Sequence, residues 1–520
     1  MPRLTIDGRA VEVAPGTLLI EAALQVGREV PHFCYHPSLS PVGSCRMCQI
    51  TIREGERPPR LAIACRTVAM DGMNVETESD LAHEARAGAL EFYLSNHPLD
   101  CPICDKAGEC DLQNFSYRHG YGEGRMVEPR RKGIKRAEFG GHIVFDSERC
   151  VLCTRCVRFM QEYAKAPQLT VTGRGVTSTI SIFPGQPLDS DYTGNLADIC
   201  PVGALTLREF RFASRVWDLK PHNAICPLCS RGCNIRLDVK MNRLYRVMPR
   251  ANPDVNGYFI CNRGRFDYLK LASPENRVTT PRVRGEGAPF TLAIAEARRL
   301  LNEAGENVLA VLSPRLTNEE ISLLREVLGK GKLTALEVER GGGDDILRTD
   351  DPTPNMAGLA RLGIEVITPD QLGSRLAELA SPVLVLLDGE IKLGPNVRGG
   401  LRALIVQDVV LSEELLSADI VLPGGTPAEK WGTFINSENR LQKTRAGLRP
   451  PDGVRTEFDT WVQIGKEMGL TQLPENPAQA FAALRAELSC EPGLTFDAFP
   501  PRGLALASEA VAAEAVHEEA

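Results

Sequence analysis

NHPLDCPICDKAGEC, residues 96 to 110, sets three cysteines in a C-x2-C-x5-C pattern, with His97 four residues ahead of the first. Three thiolates are one ligand short of a four-coordinate site. Whether His97 completes the set decides whether the chain is organised around three metal sites or four, and the remaining cysteines answer by count.

The chain has 16 cysteines in 520 residues. Its N-terminus, MPRLTIDGRAVEV, lacks the long apolar core of a secretory leader, so the cysteines are expected in a reducing compartment, as metal ligands rather than disulfides. Cys34, Cys45, Cys48 and Cys65 form a C-x10-C-x2-C-x16-C quartet, its first three members inside FCYHPSLSPVGSCRMC (33–48). Ahead of it, LTIDGRAVEVAPGTLLIEAALQVG (4–27) reads as strand, Asp7-Gly8 turn, strand, Pro15-Gly16 turn and amphipathic helix, the opening of a β-grasp ferredoxin. The spacing is not the plant-type one, but a long loop before C-x2-C suits a [2Fe–2S] rhomb. A zinc ribbon is the alternative, and it ordinarily presents two C-x2-C knuckles where this set has one.

CVLCTRC contributes Cys150, Cys153 and Cys156, the C-x2-C-x2-C run of bacterial ferredoxins, and DICPVGAL supplies the Cys-Pro partner, Cys200. No cysteine near Cys200 could start a second cubane, so this segment reads as a two-cluster ferredoxin that keeps one site. CPLCSRGC and FICNRGR give Cys226, Cys229, Cys233 and Cys261, spaced C-x2-C-x3-C-x27-C. Three quartets and the trio Cys101, Cys104 and Cys110 leave only Cys490, read as a buried or inert thiol. Imidazole replaces thiolate in some iron–sulfur centres. His97 is the candidate because it is adjacent and Pro98 stiffens the link toward Cys101; His119 is the second candidate, and His83, His119 and His222 otherwise read as structural or exposed.

The totals exclude some classes. At 520 residues, 43% apolar, the chain is expected to fold as three to five domains. A net charge of −7 argues against nucleic-acid binding by phosphate neutralisation, and the basic run PRRKGIKR (129–136) reads as a solvated connector. No stretch approaches the ~18 to 20 apolar residues of a membrane span; the densest, VLVLL (383–387), is a buried strand in size. RGGGDD (340–345) matches neither phosphate-binding fingerprint.

In this order, a β-grasp [2Fe–2S] segment, H-x3-C-x2-C-x5-C, C-x2-C-x2-C…C-P and C-x2-C-x3-C-x27-C resemble the large iron–sulfur subunit family of respiratory complex I, NADH:quinone oxidoreductase, which includes the mitochondrial 75 kDa subunit. The likeness spans residues 1 to about 270. It implies a [4Fe–4S] cluster on His97, Cys101, Cys104 and Cys110, another on Cys150, Cys153, Cys156 and Cys200, and on Cys226, Cys229, Cys233 and Cys261 the off-path [4Fe–4S] site of some bacterial members. Beyond residue 275 the likeness is to molybdopterin oxidoreductases: NVLAVLSPRLTNEEISLLREVLG (307–329) reads as strand, loop and helix of a parallel α/β sheet, and Ala418–Pro423 and Glu429–Asn436 follow the pterin-enzyme pattern.

The expected fold is thus a multidomain α+β and α/β chain. Its segments are a β-grasp [2Fe–2S] domain (1–78), a His/Cys3 [4Fe–4S] domain (79–118), a ferredoxin-like [4Fe–4S] domain (119–218), a molybdopterin-oxidoreductase-type [4Fe–4S] domain (219–275), a truncated pterin-like α/β domain (276–490) and an acidic Ala/Glu-rich tail (491–520). The resemblance implies one [2Fe–2S] and three [4Fe–4S] clusters, with no molybdopterin in the shortened domain. It also implies an oxidoreductase (translocase) subunit that conducts electrons from a flavin- and NADH-binding subunit to iron–sulfur subunits leading to quinone. No NADH, flavin or quinone site of its own, no nucleic acid and no direct membrane span are expected, and the chain is placed peripherally on the cytoplasmic face of the bacterial inner membrane. The alternatives are the iron–sulfur-rich large subunit of a formate dehydrogenase or hydrogenase, and a zinc-stapled scaffold.

Overall fold

Leu4 and Ile6 are buried in β1 (Arg3–Ile6) while Arg3 stays in solvent, the period-2 pattern of a half-buried strand. Asp7 and Gly8 both take positive φ, 47° and 76°, which matches the twist of a two-residue hairpin into β2 (Arg9–Glu12). Asp7 is held there because its carboxylate accepts from the Thr77 amide at 2.7 Å and the Thr77 hydroxyl at 2.6 Å. The computed structural model describes residues 1–55, 57–387, 391, 393 and 395–507, in two units, Met1–Leu219 and Lys220–Ala520.

In the first unit, helix α1 (Leu19–Gln25) lays Leu19, Ile20, Ala22 and Ala23 on the sheet completed by β3 (Gln49–Glu54), β4 (Arg60–Ile63) and β5 (Met73–Glu76), in the order β2-β1-β5-β3-β4 with β1 parallel to β5. This is the β-grasp arrangement that residues 4–27 predict. Ser79 caps α2 (Asp80–Asn96) by accepting from the Ala82 amide at 3.3 Å. The helix stops at His97, which is extended (φ −65°, ψ 129°) because Pro98 follows it. Cys110 precedes α3 (Asp111–His119), which packs back along α2.

Beyond it, β6 (Ala137–Phe139) and β7 (Ile143–Phe145) lead to the short helix α4 (Arg155–Arg158), the ribbon β8 (Leu169–Thr172) and β9 (Thr179–Ile182), α5 (Asn195–Ile199) and β10 (Leu205–Leu207), which pairs with β7.

The second unit opens with the antiparallel sheet β11 (Lys220–Ile225), β12 (Asn234–Lys240) and β13 (Arg243–Pro249). An eight-stranded sheet follows, six of its strands parallel and Arg282–Val283 with Glu286–Gly287 forming an antiparallel edge. Val308–Leu312 and Val383–Leu387 are buried throughout. Their residues alternate between two apolar cores: Val308, Ala310 and Leu312 face one, Leu309 and Val311 the other. That two-sided burial is why these segments read as unbroken apolar runs. As 307–329 predicts, the strand is followed by a helix, Asn318–Leu328, started by a capping box in which Thr317 Oγ1 accepts from the Glu320 amide at 3.2 Å and the Glu320 carboxylate accepts from the Thr317 amide at 2.8 Å. Residues 508–520 of the acidic tail lie outside the described residues. Among the described residues no helix is long and apolar enough to cross a membrane.

Candidate metal centres

Cys34 and Cys45 lie on the loop between α1 and β3, Cys48 immediately before β3 and Cys65 just after β4. All four are buried. Their thiols touch: Cys45 and Cys65 hydrogen-bond to Cys34, and Cys65 to Cys48, which holds Cys34 and Cys48 below the ordinary thiol value and pushes Cys45 and Cys65 up. The Phe33 amide donates to Cys45 Sγ at 3.4 Å, and the Tyr93 hydroxyl donates to the Cys45 carbonyl at 3.0 Å. Four buried thiols linked in this way cannot all ionise without a cationic centre among them. The donor set fits a metal group that carries that charge.

Cys150, Cys153, Cys156 and Cys200 line one cavity, walled by Phe145, Val151, Ile180, Val202, Ala204 and Leu205. Leu152 (φ 49°) and Thr154 (φ 59°) both take the left-handed conformation, costing about 1–2 kcal/mol each, and the turns they make fold the C-x2-C-x2-C run around the cavity. The Leu152 amide donates to Cys150 Sγ at 3.4 Å. Burial pushes the thiols of Cys150 and Cys156 up and that of Cys153 up to about 11, so this set too is thiolate only with compensating positive charge.

His97, Cys101 and Cys110 line a third cavity between the end of α2 and the start of α3. Cys104 stands on the intervening turn, within electrostatic range of both cysteines. Burial, reinforced by Arg149, lowers His97 to about 4, which leaves the imidazole neutral near pH 7, the form that ligates a metal. Cys101 is exposed, unlike every other cysteine of the four sets. His119, the second candidate, does not line this cavity; its ring lies 5.7 Å from that of His83.

In the second unit Cys226, Cys229, Cys233 and Cys261 line a cavity with Leu228, Ile260, Gly264 and Leu347. The Cys226 amide donates to the Cys233 carbonyl at 2.9 Å, closing the loop, and Gly232 at φ 62° makes the turn. A Cβ on Gly264 would stand 3.3 Å from Cys226 Sγ, so glycine lets the chain approach the sulfurs, and its amide donates to Cys261 Sγ at 3.2 Å. RGGGDD is the start of a loop in which Asp344 Oδ1 accepts from the amides of Ile346, Leu347 and Arg348, delivering Leu347 and Arg348 to this cavity wall. Cys490 is half-buried against the α/β core.

Sequence reading missed the groups that tie the first three sets together. Arg158, buried, donates to the carbonyls of Cys34 at 2.5 Å, Ser40 at 2.6 Å and Cys153 at 3.4 Å, bridging the first and second ligand loops. Arg155, also buried, donates to the carbonyls of Tyr35 at 2.5 Å and Ile199 at 3.1 Å. The signal was their position, one before and two after Cys156. The basic run 129–136 is exposed throughout, as a solvated connector is, and within it Lys135 is also salt-bridged at 2.6 Å to Asp100 and to Glu148, while Asp100 pairs with Arg149 at 3.0 Å.

Five family models match consecutive parts of the chain. They are the 2Fe-2S iron-sulfur cluster binding domain (2–80), the NADH-ubiquinone oxidoreductase-G iron-sulfur binding region (86–125), the ferredoxin-like domain of NADH-quinone oxidoreductase subunit 3 (140–206), the molybdopterin oxidoreductase Fe4S4 domain (219–272) and molybdopterin oxidoreductase (396–467). The G subunit of NADH-quinone oxidoreductase from Streptomyces coelicolor is 41% identical over 326 residues, 61% of this chain and 38% of that protein. The chain is homologous to that G subunit. The mitochondrial 78 kDa subunit of NADH-ubiquinone oxidoreductase from Neurospora crassa is 40% identical over 63% of this chain and 44% of its own length, and the 75 kDa subunit from Reclinomonas americana 38% over 64% and 48%. The chain therefore spans less than half the length of each of these relatives. These matches bear out the [2Fe–2S], [4Fe–4S] and molybdopterin-oxidoreductase-like segments of the expected fold.

Proposed function

We propose that this chain is an electron-conducting subunit of the peripheral arm of an NADH:quinone oxidoreductase, taking electrons from a flavin-bearing partner and passing them toward quinone. The observation that carries the reading is the linkage of three ligand sets within the first unit: Arg158 spans the loops of Cys34 and Cys153, and the Asp111 amide donates to the Pro201 carbonyl at 2.9 Å between Cys110 and Cys200. Electron tunnelling falls steeply with distance, so sites held by the same buried side chains suit conduction.

The proposed holders are Cys34, Cys45, Cys48 and Cys65 for one [2Fe–2S] cluster, and for three [4Fe–4S] clusters His97 with Cys101, Cys104 and Cys110; Cys150, Cys153, Cys156 and Cys200; and Cys226, Cys229, Cys233 and Cys261. Bound there, such clusters supply reversible one-electron reduction. The chain's own residues bury most of the sulfurs, Cys101 being the exposed one, aim the amides of Phe33, Leu152 and Gly264 at Sγ atoms, and place the cations Arg155, Arg158 and Arg149 beside the sites. The α/β region of the second unit is proposed as a scaffold without molybdopterin, and the chain as peripheral, on the cytoplasmic face of a bacterial inner membrane.

The test is rapid-freeze EPR of the assembled complex after mixing with NADH. Reduction of this chain's clusters ahead of quinone is expected. Formate or hydrogen turnover by the complex, or near-stoichiometric molybdenum or tungsten in it, would overturn the proposal.

A further inference from the structure

Helices α2 and α3 each carry a proposed cluster ligand at one end, His97 after α2 and Cys110 before α3. At the other end of the pair a second group of ligand-type side chains converges. Glu78 precedes the Ser79 cap of α2, His83 lies in its first turns and His119 is the last residue of α3. One donor atom from each lies within 4.8 Å of the others. His83 Nε2 is 2.8 Å from Glu78 Oε2. His119 Nδ1 is buried, and among the described residues it has no hydrogen-bond partner.

We infer that Glu78, His83 and His119 form a binding site for a borderline-soft divalent cation of the Zn2+ class, clipping the start of α2 to the end of α3. The donor set selects the ion. Ca2+ and Mg2+ require several oxygen ligands, whereas here a single carboxylate stands with two imidazoles, the N2O set that Zn2+ takes with its remaining position open to water. Arg86 and His83 meet different oxygens of Glu78. Arg86 Nη1 is 3.2 Å from Glu78 Oε1, leaving Oε2 toward His83, and its other donors go to the carbonyls of Gln49 and Thr77. The guanidinium therefore orients the carboxylate, as an outer partner of a ligand does, and its positive charge further disfavours hard cations held by charge alone. The inference does not depend on the electron-transfer reading, because none of the three residues belongs to a cluster set.

The site is tested on the full-length, cluster-loaded chain, freed of adventitious metal by dialysis and equilibrated with Zn2+ alone. Zinc and iron are counted per chain, and the zinc shell is read by X-ray absorption. The expected result is one zinc per chain with nitrogen and oxygen neighbours at about 2.0–2.1 Å, lost in His119→Ala and weakened at least about tenfold in Glu78→Gln, with the iron count unchanged. A zinc shell containing sulfur at about 2.3 Å would put the ion on cluster thiolates and overturn the site, as would absence of bound zinc or equal retention by both variants. His83→Gln, at a half-exposed position, provides the check against misfolding: iron retained with zinc lost supports the site, and iron lost in both histidine variants shows that the histidines serve folding and overturns it.

Discussion

The amide of Asp111 donates to the carbonyl oxygen of Pro201 at 2.9 Å, and each residue adjoins a cysteine, Cys110 on one side and Cys200 on the other. Two residues further along, Gly203 lies so close to Cys104 that a Cβ there would sit 2.2 Å from Sγ. The His97 set and the Cys150 set are therefore packed through one loop. Gly203→Ala is expected to displace Cys104 and lower the iron content of the chain by one cluster's share, while the Cys34 set keeps its EPR signal. Unchanged iron and spectra in this variant would show that the loop yields without disturbing the site.

Arg158→Gln removes the donor to the buried Cys34 carbonyl, at about 1–3 kcal/mol for that group left unsatisfied, and the donor to the carbonyl of Ser40, an exposed residue that water can serve. It also removes a positive charge beside two cluster loops. Reduction adds negative charge to a cluster, so the potentials of the Cys34 and Cys150 centres should fall in an EPR-monitored redox titration. Arg158→Lys keeps the charge but not the forked bonds, so it should recover the potentials more fully than the stability. Equal potentials in all three proteins would assign Arg158 to packing alone.

The grouping of Cys150, Cys153 and Cys156 around one cavity was legible in the sequence because a C-x2-C-x2-C run closes on itself wherever it lies, and Cys200, which joins them there, was legible only through its Cys-Pro signature. The β-grasp opening was legible because Asp-Gly favours a two-residue hairpin turn locally, although the Thr77 bonds that hold Asp7 come from a distant segment. Arg158 and Lys135 were not, because their partners, Cys34 at one end and Asp100 at the other, are set by packing between distant segments. A basic run looks the same whether it is solvated or paired. Nor did a turn glycine such as Gly203 announce that a thiol from another segment would pack on it.

The second unit should respond to pH through Glu319. Its carboxylate is buried and accepts from the Thr433 amide at 2.7 Å and hydroxyl at 2.8 Å. Burial outweighs those bonds and pushes it up to about 8. In the unfolded chain it titrates near 4.3, so the folded state holds an extra proton between those values and stability falls as pH rises through this window. Relative to Glu319→Gln, the native chain should lose about 1 kcal/mol per pH unit between about pH 5.5 and 7.5, measured by denaturant unfolding. A difference independent of pH would show that the carboxylate is ionised throughout.

Cys229→Ser should remove the fourth cluster yet leave NADH-to-quinone electron flow in the assembled complex largely intact, if that site lies off the path. The loss should instead appear as lower stability of the second unit, because the ligand loop is stapled by its metal. A variant that assembles normally but fails to transfer electrons would place this cluster on the path.

His97→Ala should abolish one [4Fe–4S] signal or convert it to a three-iron form, and leave the other three centres unchanged. His97→Cys should restore a cubane at lower potential, since thiolate carries a charge that neutral imidazole lacks. Four unchanged signals in His97→Ala would place the ligand elsewhere.

The central claim, four clusters on sixteen named ligands, is tested most directly by counting iron and acid-labile sulfide in the purified full-length chain alongside EPR of its dithionite-reduced form. One binuclear and three cubane centres give about 14 iron atoms per chain, with four separable signals. A count near 10 with three signals would contradict the His97 site, and a colourless protein holding zinc would contradict the electron-conducting account altogether.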